Sequence, residues 1–252
     1  MTVDLGGLTA VVTGGGTGIG RAISLALARC GAAVTIGYRN SRQAAEETEG
    51  QIVAAGGRAC LVRCDVTVEG EVEQLMYQAR ATFGSLDILM ANAGAPLASA
   101  PTHEVSAEQW SEGLAANCQG AFFCVKHAAP HLPEQRGRII ATSSISARSG
   151  SAPGALVYAA AKAALNNMVR NWAKELAPRG ITANAIAPGV IWTRIHQLGT
   201  DPDEYRRLIE RIPLGRDGHP EDCVGATLLL ASVEGGYITG QTIEINGGMQ
   251  MP

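Results

Sequence analysis

Tyr158 and Lys162 stand four residues apart in Tyr158-Ala-Ala-Ala-Lys162, within Val157–Lys174, a stretch rich in Ala, Leu and Met with few helix breakers before Pro178. On a helix that spacing places both side chains on one face. A phenol is a poor acid or base at neutral pH, because its reference pKa is about 10. A cation roughly 4 Å away favours the phenolate by about 1 kcal/mol in water, and by about 4 kcal/mol at an effective dielectric of 20. The pair therefore becomes a proton-transfer device only inside a sheltered cleft. On an open helix surface it is two ordinary residues.

The elements that could build such a cleft alternate along the chain. Apolar runs read as strands at Leu8–Val12, Ala33–Tyr38, Ala59–Arg63, Leu86–Ala91, Arg138–Thr142, Ile181–Ala187 and Gln241–Ile245. Helical patterns separate them: Ile19–Arg29, Arg42–Ala55, Val68–Phe83, a long helix within Glu108–His131, Val157–Ala177 and Glu221–Ser232. Continuous apolar strands separated by helices imply an α/β, doubly wound, Rossmann-like parallel sheet of about seven strands with helices on both faces. No linker or repeat interrupts the pattern, so residues 1–252 are expected to form one domain. Ser146–Gly154 and Gly189–Arg216 read as loops, the latter as a substrate loop. Both follow strands, and ligands in such sheets bind at the strands' carboxyl ends.

Composition narrows the function classes. Of 252 residues, 46% are hydrophobic and 17% charged, enough to bury a large core. Twenty basic against 23 acidic residues give a net charge of −3 without a long basic run, which argues against nucleic-acid binding. Met1–Leu8 lacks the apolar core of a signal peptide, and no apolar run reaches membrane-spanning length. The six cysteines show no C-x-x-C spacing and read as reduced thiols of a cytoplasmic protein. His127 and His131 could face one metal from a helix, but Pro130 lies between them and no partner carboxylate is evident, so no metal site is expected. Trp172 reads as a helix-packing residue.

Thr13-Gly14-Gly15-Gly16-Thr17-Gly18-Ile19-Gly20 joins the first strand to the first helix. Small residues there let the backbone approach a pyrophosphate at the positive helix terminus. The spacing is G-x-x-x-G-x-G, and a methyltransferase-type glycine loop or a plain tight turn fits this feature taken alone.

Together with Asn92-Ala93-Gly94, Asn117, a serine near Ser144, YAAAK at Tyr158–Lys162 and Pro188-Gly189 with Thr193, this turn makes the chain resemble the classical short-chain dehydrogenase/reductases from Leu8 onward. The resemblance implies roles. Gly14, Gly18 and Gly20, with Thr17 and Ile19 in the same turn, would hold the pyrophosphate, and Asp65 and Val66 would contact the adenine. Asn92 and Gly94 would support the nucleotide pocket. Ile191 and Thr193, after Pro188 and Gly189, would contact the carboxamide. Lys162 would also bind the nicotinamide ribose, Asn117 would anchor a water on a proton relay, and Ser144 would orient the substrate carbonyl. Asp65 as a turn former and Asn117 as a solvated helix residue are the plain alternatives.

Where an NAD enzyme places a carboxylate after the second strand, this chain has Tyr38 followed by Arg39, Asn40 and Ser41, a set suited to a 2′-phosphate. NADP(H) is expected over NAD(H), although Thr17 stands where many NADP enzymes carry a basic residue. Ser143-Ser144-Ile145-Ser146 offers three hydroxyls. Aligning the preceding strand with the family selects Ser144, with Ser143 as runner-up, although its spacing to Tyr158 is one residue longer than the family's, which implies an inserted residue in the loop 146–157.

Tyr237-Ile238-Thr239-Gly240-Gln241 and Asn246-Gly247-Gly248-Met249 resemble the 3-oxoacyl-carrier-protein reductase branch. That branch implies a homotetramer paired partly through Glu108–His131 and Val157–Ala177, and a basic surface for an acidic carrier. Arg179 matches one basic position, and Gln135, beside Arg136, replaces another. The expected function is reversible hydride transfer between NADPH and a ketone or 3-oxoacyl carbonyl, with Tyr158 as acid/base and its phenolate favoured by Lys162. An alcohol, sugar or polyol dehydrogenase and a non-catalytic nucleotide sensor are the alternatives.

Overall fold

A computed structural model describes residues 3–95, 99–193 and 202–251. Seven strands, all paired in parallel, form one sheet in the order β3-β2-β1-β4-β5-β6-β7. They are β1 (Thr9–Thr13), β2 (Ala33–Tyr38), β3 (Arg58–Arg63), β4 (Ile88–Ala91), β5 (Arg138–Thr142), β6 (Thr182–Pro188) and β7 (Thr242–Ile245). The strand order reverses direction between β1 and β4, which opens a crevice at their carboxyl ends.

Alternation along each strand feeds two cores. Val11, Leu89, Ile139 and Ala183 face one side, where they meet α3 (Glu69–Phe83), α5 (Gly120–Ala128) and α7 (Leu156–Leu176). Ala10, Val12, Val34, Ile88 and Ile140 face the other, against α1 (Gly18–Arg29), α2 (Arg42–Ala54) and α9 (Val224–Ala231). Leu27, Ile36, Leu75 and Leu89 are wholly enclosed, so cutting any of them to Ala would cost about 2–5 kcal/mol.

Helix α7 starts beside Ala155 and runs 21 residues. Its Ala- and Leu-rich sequence favours helix, and Pro178 followed by left-handed Gly180 ends it. Every fourth or third residue from Val157 to Leu176 is buried, so the face that carries Lys162 is turned to the sheet.

Three expectations need correction. The long helix expected in Glu108–His131 is α4 (Ala107–Leu114), a π turn over Ala115–Gln119, α5, and a final 3-10 turn. The π turn inserts a residue into the helical ladder at Asn117, a distortion that periodicity does not reveal. The stretch Gly189–Arg216, read as loop, contains α8 (Pro202–Glu210), whose strongly polar composition hid its helical pattern. The loop Ser146–Gly154 begins with one helical turn, α6 (Ser146–Ser149), closed by left-handed Gly150.

Candidate active site

The glycine turn is held open from behind. Thr13, the last residue of β1, accepts at its hydroxyl from the backbone N–H groups of Asn92 and Ala93, each at 3.0 Å. Asn92 in turn donates through Nδ2 to the Thr13 carbonyl at 3.0 Å and accepts from the Thr142 hydroxyl at 3.0 Å. One side chain thus ties together the ends of β1, β4 and β5. Gly20 belongs to this scaffold: a Cβ there would sit 2.2 Å from the Gly14 carbonyl and 2.6 Å from Asn92 Nδ2. Its smallness lets the turn close.

Gly14 and Gly18 have φ of +64° and +50°, a region side chains avoid. Helix α1 begins after Thr17 with no side-chain cap and no acidic residue in its first turn. Its first N–H groups are therefore free to meet an anion. Helix α2 starts beyond Ser41 in the same uncapped way, again without an acid.

Between these helix ends lies a cavity of about 250 Å³ lined by Gly14, Thr17, Arg39, Asn40, Ser41, Asp65, Val66 and Gly94 among the expected residues. Tyr38, Gly16 and Ala93 of the quoted motifs line it too, as do Cys64, Thr67, Ala95 and Ala116, to which sequence reasoning gave no role in a site. Gly16 is small because a Cβ would come within 2.8 Å of Ala45 on α2. Asp65 does form the turn its plain reading proposed, since Oδ1 accepts from Thr67 N and Oγ1 at 3.0 and 2.7 Å. Its Oδ2 lies 3.7 Å from Arg39 Nη1. Burial pushes this carboxyl up, but the Thr67 hydrogen bonds, then Arg39 and Arg63, outweigh it and leave the pKa lowered. Arg42 is paired with Glu46 at 2.8 Å, whereas Arg39 is half exposed over the cavity.

The second cluster adjoins this cavity. Lys162 is 3% exposed, and its ammonium donates to the Thr142 carbonyl at 2.8 Å. Gly94 joins the two: a Cβ there would stand 2.8 Å from Asn117 Oδ1 and 3.5 Å from Lys162 Nζ. Asn117, 2% exposed, is no solvated helix residue. Its Oδ1 accepts from Ala95 N at 3.2 Å, and its Nδ2 donates to the carbonyls of Ala95 and Gly113 at 2.9 and 3.2 Å. The amide is committed to holding the 94–95 segment against the π turn.

Ser144 leaves β5 with its hydroxyl accepting from Ser146 N at 3.1 Å and interacting with the Tyr158 phenol. Ser143 continues the β5–β6 pairing through its N–H, and its hydroxyl is buried without a partner. The serine facing Tyr158 is Ser144.

The charge balance differs from the sequence expectation of a favoured phenolate. Burial pushes the Tyr158 pKa up, and Ser144 only partly opposes it. Lys162 Nζ lies 5.6 Å from the centre of the phenol ring and is turned onto the Thr142 carbonyl. Burial also lowers Lys162 to about 8, with Cys118 acting the other way. The sheltering that strengthens charge interactions also penalises each charge. The protein alone holds Tyr158 as a phenol, a proton donor, beside a lysine that can lose its proton near pH 8.

The remaining expected residues border the groove. Pro188 ends β6, and Gly189 admits Asn246, which would lie 2.7 Å from a Cβ. Ile19 and Ile191 pack their side chains into the α1 core. Trp192 N donates to the Gly218 carbonyl and Gly218 N to Val190, so the N–H and C=O of Ile191 point away from Gly218. The Thr193 methyl lies 3.5 Å from the position of a Gly18 Cβ, opposite the glycine turn. His127 pairs with Glu69 at 3.0 Å in a cluster that also includes Lys126. Trp172 is buried in the α3–α5–α7 core.

Thr13 and Thr142 are the functional positions that sequence reasoning missed. A threonine at the end of each strand flanking β4 is a weak signal, since its meaning depends on which strands are neighbours.

Residues 14–250 match the family described as Enoyl-(Acyl carrier protein) reductase. An uncharacterized oxidoreductase of Bacillus subtilis, YhdF, is 40% identical over 97% of this chain and 84% of its own length. The 3-oxoacyl-acyl-carrier-protein reductase FabG of Staphylococcus epidermidis is 37% identical over 96% of this chain and 99% of its own. A short chain dehydrogenase from Burkholderia cenocepacia, solved in complex with NADP, is 33% identical with a TM-score of 0.91, covering 98% of this chain and 99% of that one. With the glycine turn, Asn117, Ser144, Tyr158 and Lys162 gathered at one end of a seven-stranded parallel sheet, this chain belongs to the short-chain dehydrogenase/reductase family, in its FabG-like branch, and is an oxidoreductase.

Proposed function

We propose that the chain is an NADPH-dependent reductase of ketones, with Tyr158 as the proton donor. The observation that carries this reading is the position of Gly94, which lines the nucleotide cavity and also abuts Asn117 and Lys162. Any dinucleotide lying in the cavity is directed toward the catalytic cluster.

The phosphate end favours NADP(H). Arg39, Asn40 and Ser41 line the cavity at the uncapped start of α2, and no acid occupies the end of β2. A guanidinium with neighbouring hydroxyl and amide groups suits a 2′-phosphate. The NADP complex of the Burkholderia protein supports the same choice.

When bound, the nicotinamide supplies the hydride. The chain's own residues do the rest. Ser144 donates to the substrate carbonyl and orients it beside Tyr158. Tyr158 gives its proton to the oxygen as charge develops there. Lys162, held at the Thr142 carbonyl, lies behind Tyr158 to stabilise the phenolate that remains and to bind the ribose. Asn117 positions this cluster with its amide, which leaves its main-chain carbonyl in the π turn as the group to hold a relay water.

A free ketone or thioester fits better than a carrier-bound substrate. Arg179, the basic position matching a carrier-docking surface, is engaged by Glu134 at 2.7 Å and by the Ala129 and Leu132 carbonyls at 2.7 and 2.8 Å. Gln135 has φ +62° and packs against Gly180. Both positions serve the turn after α5. The groove of about 460 Å³ between α5 and α7, lined by Phe122, Val125, Pro130, Trp172 and Leu176, supports pairing of copies into a homotetramer. Among the described residues no helix is long and apolar enough to cross a membrane, and we place the enzyme in the cytoplasm.

The test is NADPH oxidation over a panel of ketones, polyols' keto forms and 3-oxoacyl thioesters, the last offered both free and on an acidic carrier. Turnover of free ketones or thioesters supports the reading. Turnover only on the carrier would overturn the substrate assignment, and NADPH binding without turnover on any of them would favour a nucleotide sensor.

A further inference from the structure

Thr193 crosses the groove to the glycine turn, and a closed circuit of contacts lies directly behind it. Trp192 donates its backbone N–H to the Gly218 carbonyl at 2.7 Å, and its ring meets the Tyr205 ring edge-on, centroids 4.9 Å apart at 61°. Tyr205, on α8, donates its hydroxyl to Asp217 Oδ2 at 2.7 Å. Asp217 adjoins Gly218, which returns a hydrogen bond to the Val190 carbonyl at 2.8 Å.

The base of the circuit is rigid. Arg216 grips Asp222 with two bonds of 2.8 and 2.9 Å and also donates to the Asp217 carbonyl at 2.8 Å. Asp222 accepts from His219 N at 2.7 Å. Cys223 and Ile191 are buried in the same core as Ile23 and Leu27 of α1, the helix that the glycine turn opens. Gly218 has no room for a side chain, because Ile191 Cδ1 lies 2.4 Å from where a Cβ would be.

We propose that Trp192, Tyr205 and Asp217 form a clasp that holds Thr193 over the glycine turn and thereby sets how fast the dinucleotide leaves. These are positioning residues, since they act through Thr193. The ring edge fixes the Trp192 side chain, the hydroxyl-to-carboxylate bond fixes α8 on the return loop, and the isolated bridge of Ile191 with Gly218 passes both constraints to the 190–193 segment. Burial and acceptance by Asp217 raise the Tyr205 pKa, so the donor keeps its proton at working pH. The clasp rests on the reading that the groove binds NADP(H).

The test is NADPH release followed by cofactor fluorescence in stopped flow, with thermal midpoints measured alongside. Tyr205→Phe keeps the ring and loses the hydrogen bond, and Trp192→Leu loses the ring edge. Each is expected to speed release about tenfold, which is about 1.4 kcal/mol, with midpoints within about 2 °C of wild type. Asp217→Asn keeps an acceptor and Trp192→Phe keeps a ring, so both should stay within about threefold of wild type. Wild-type binding with a Tyr205→Phe release rate within twofold of normal would overturn the clasp and leave the cofactor reading intact. A lowered midpoint with unchanged release would also overturn it, as a purely structural role. A wild-type chain that binds neither NADPH nor NADH would overturn the functional reading and the clasp with it.

Discussion

The two ends of the sheet treat a buried charge in opposite ways. At the amino end Asp87 is fully enclosed and its carboxylate is saturated: Thr9 N at 2.9 Å, the Ser85 hydroxyl at 2.6 Å and Arg136 at 2.6 Å all donate to it. At the carboxyl end Lys162 is nearly as enclosed, yet its ammonium donates to a neutral carbonyl, that of Thr142, and among the described residues no carboxylate pairs with it. The same contrast holds for helix ends, since α1 and α2 open toward the groove without caps or first-turn acids. A charge with all its partners stabilises a fold. A charge left short of partners has a shifted pKa and remains available to a ligand. The difference separates the half of the sheet that holds the protein together from the half that acts.

Substitutions at the two ends should therefore fail differently. Tyr158→Phe should lower turnover by about 10³-fold, the scale of lost general-acid catalysis, while the thermal midpoint and NADPH affinity stay near wild type. Asp87→Ala should do the reverse. It leaves Thr9 N without its buried acceptor, and chemical denaturation should show a loss of about 2–3 kcal/mol with turnover per folded molecule unchanged. An Asp87→Ala enzyme that was stable but inactive would erase the distinction.

Arg39→Asp sharpens the contrast within the acting end. A phosphate contact of about 1.5–3 kcal/mol predicts a loss of roughly 10- to 100-fold in NADPH preference over NADH, read from kcat/KM with each cofactor. Equal losses for both would remove Arg39 from phosphate recognition.

The smallest effect concerns Lys162 itself. Its folded pKa, about 8, lies below the unfolded value near 10.5. Between those values the unfolded chain binds the extra proton, so this group makes folding more favourable as pH rises from about 8 toward 10. Lys162→Met should lack that rise. The difference between wild-type and Lys162→Met stability is the quantity to measure, because the buried cysteines, whose pKa values are raised, contribute the opposite slope.

Much of this was legible in the residues. The seven strands and the order of helices follow from apolar runs of strand length, and the side-chain face of Lys162 follows from helical spacing. What could not be read were features created by strand neighbours. Thr13 and Thr142 matter because β1 and β5 flank β4, which brings both to Asn92. The π turn at Asn117 is invisible to a 3.6-residue period. The pKa directions at Tyr158 and Lys162 reversed the simple pair argument, because burial was a consequence of packing and not of spacing. Helix α8 was missed for a different reason: Tyr205, Leu208 and Ile209 keep helical spacing, but three apolar side chains in a nine-residue polar run that opens on Pro202 are too short a pattern to stand out from a loop.

The central claim is that the carboxyl end of this sheet transfers hydride to a carbonyl. The most direct measurement uses NADPH carrying deuterium at nicotinamide C4 with a ketone selected from the substrate panel, and follows the label by mass spectrometry. The account predicts one deuterium on the carbinol carbon of the product, formed by the wild-type chain and reduced about 10³-fold by Tyr158→Phe. NADPH that binds with its label retained and no alcohol formed would contradict it.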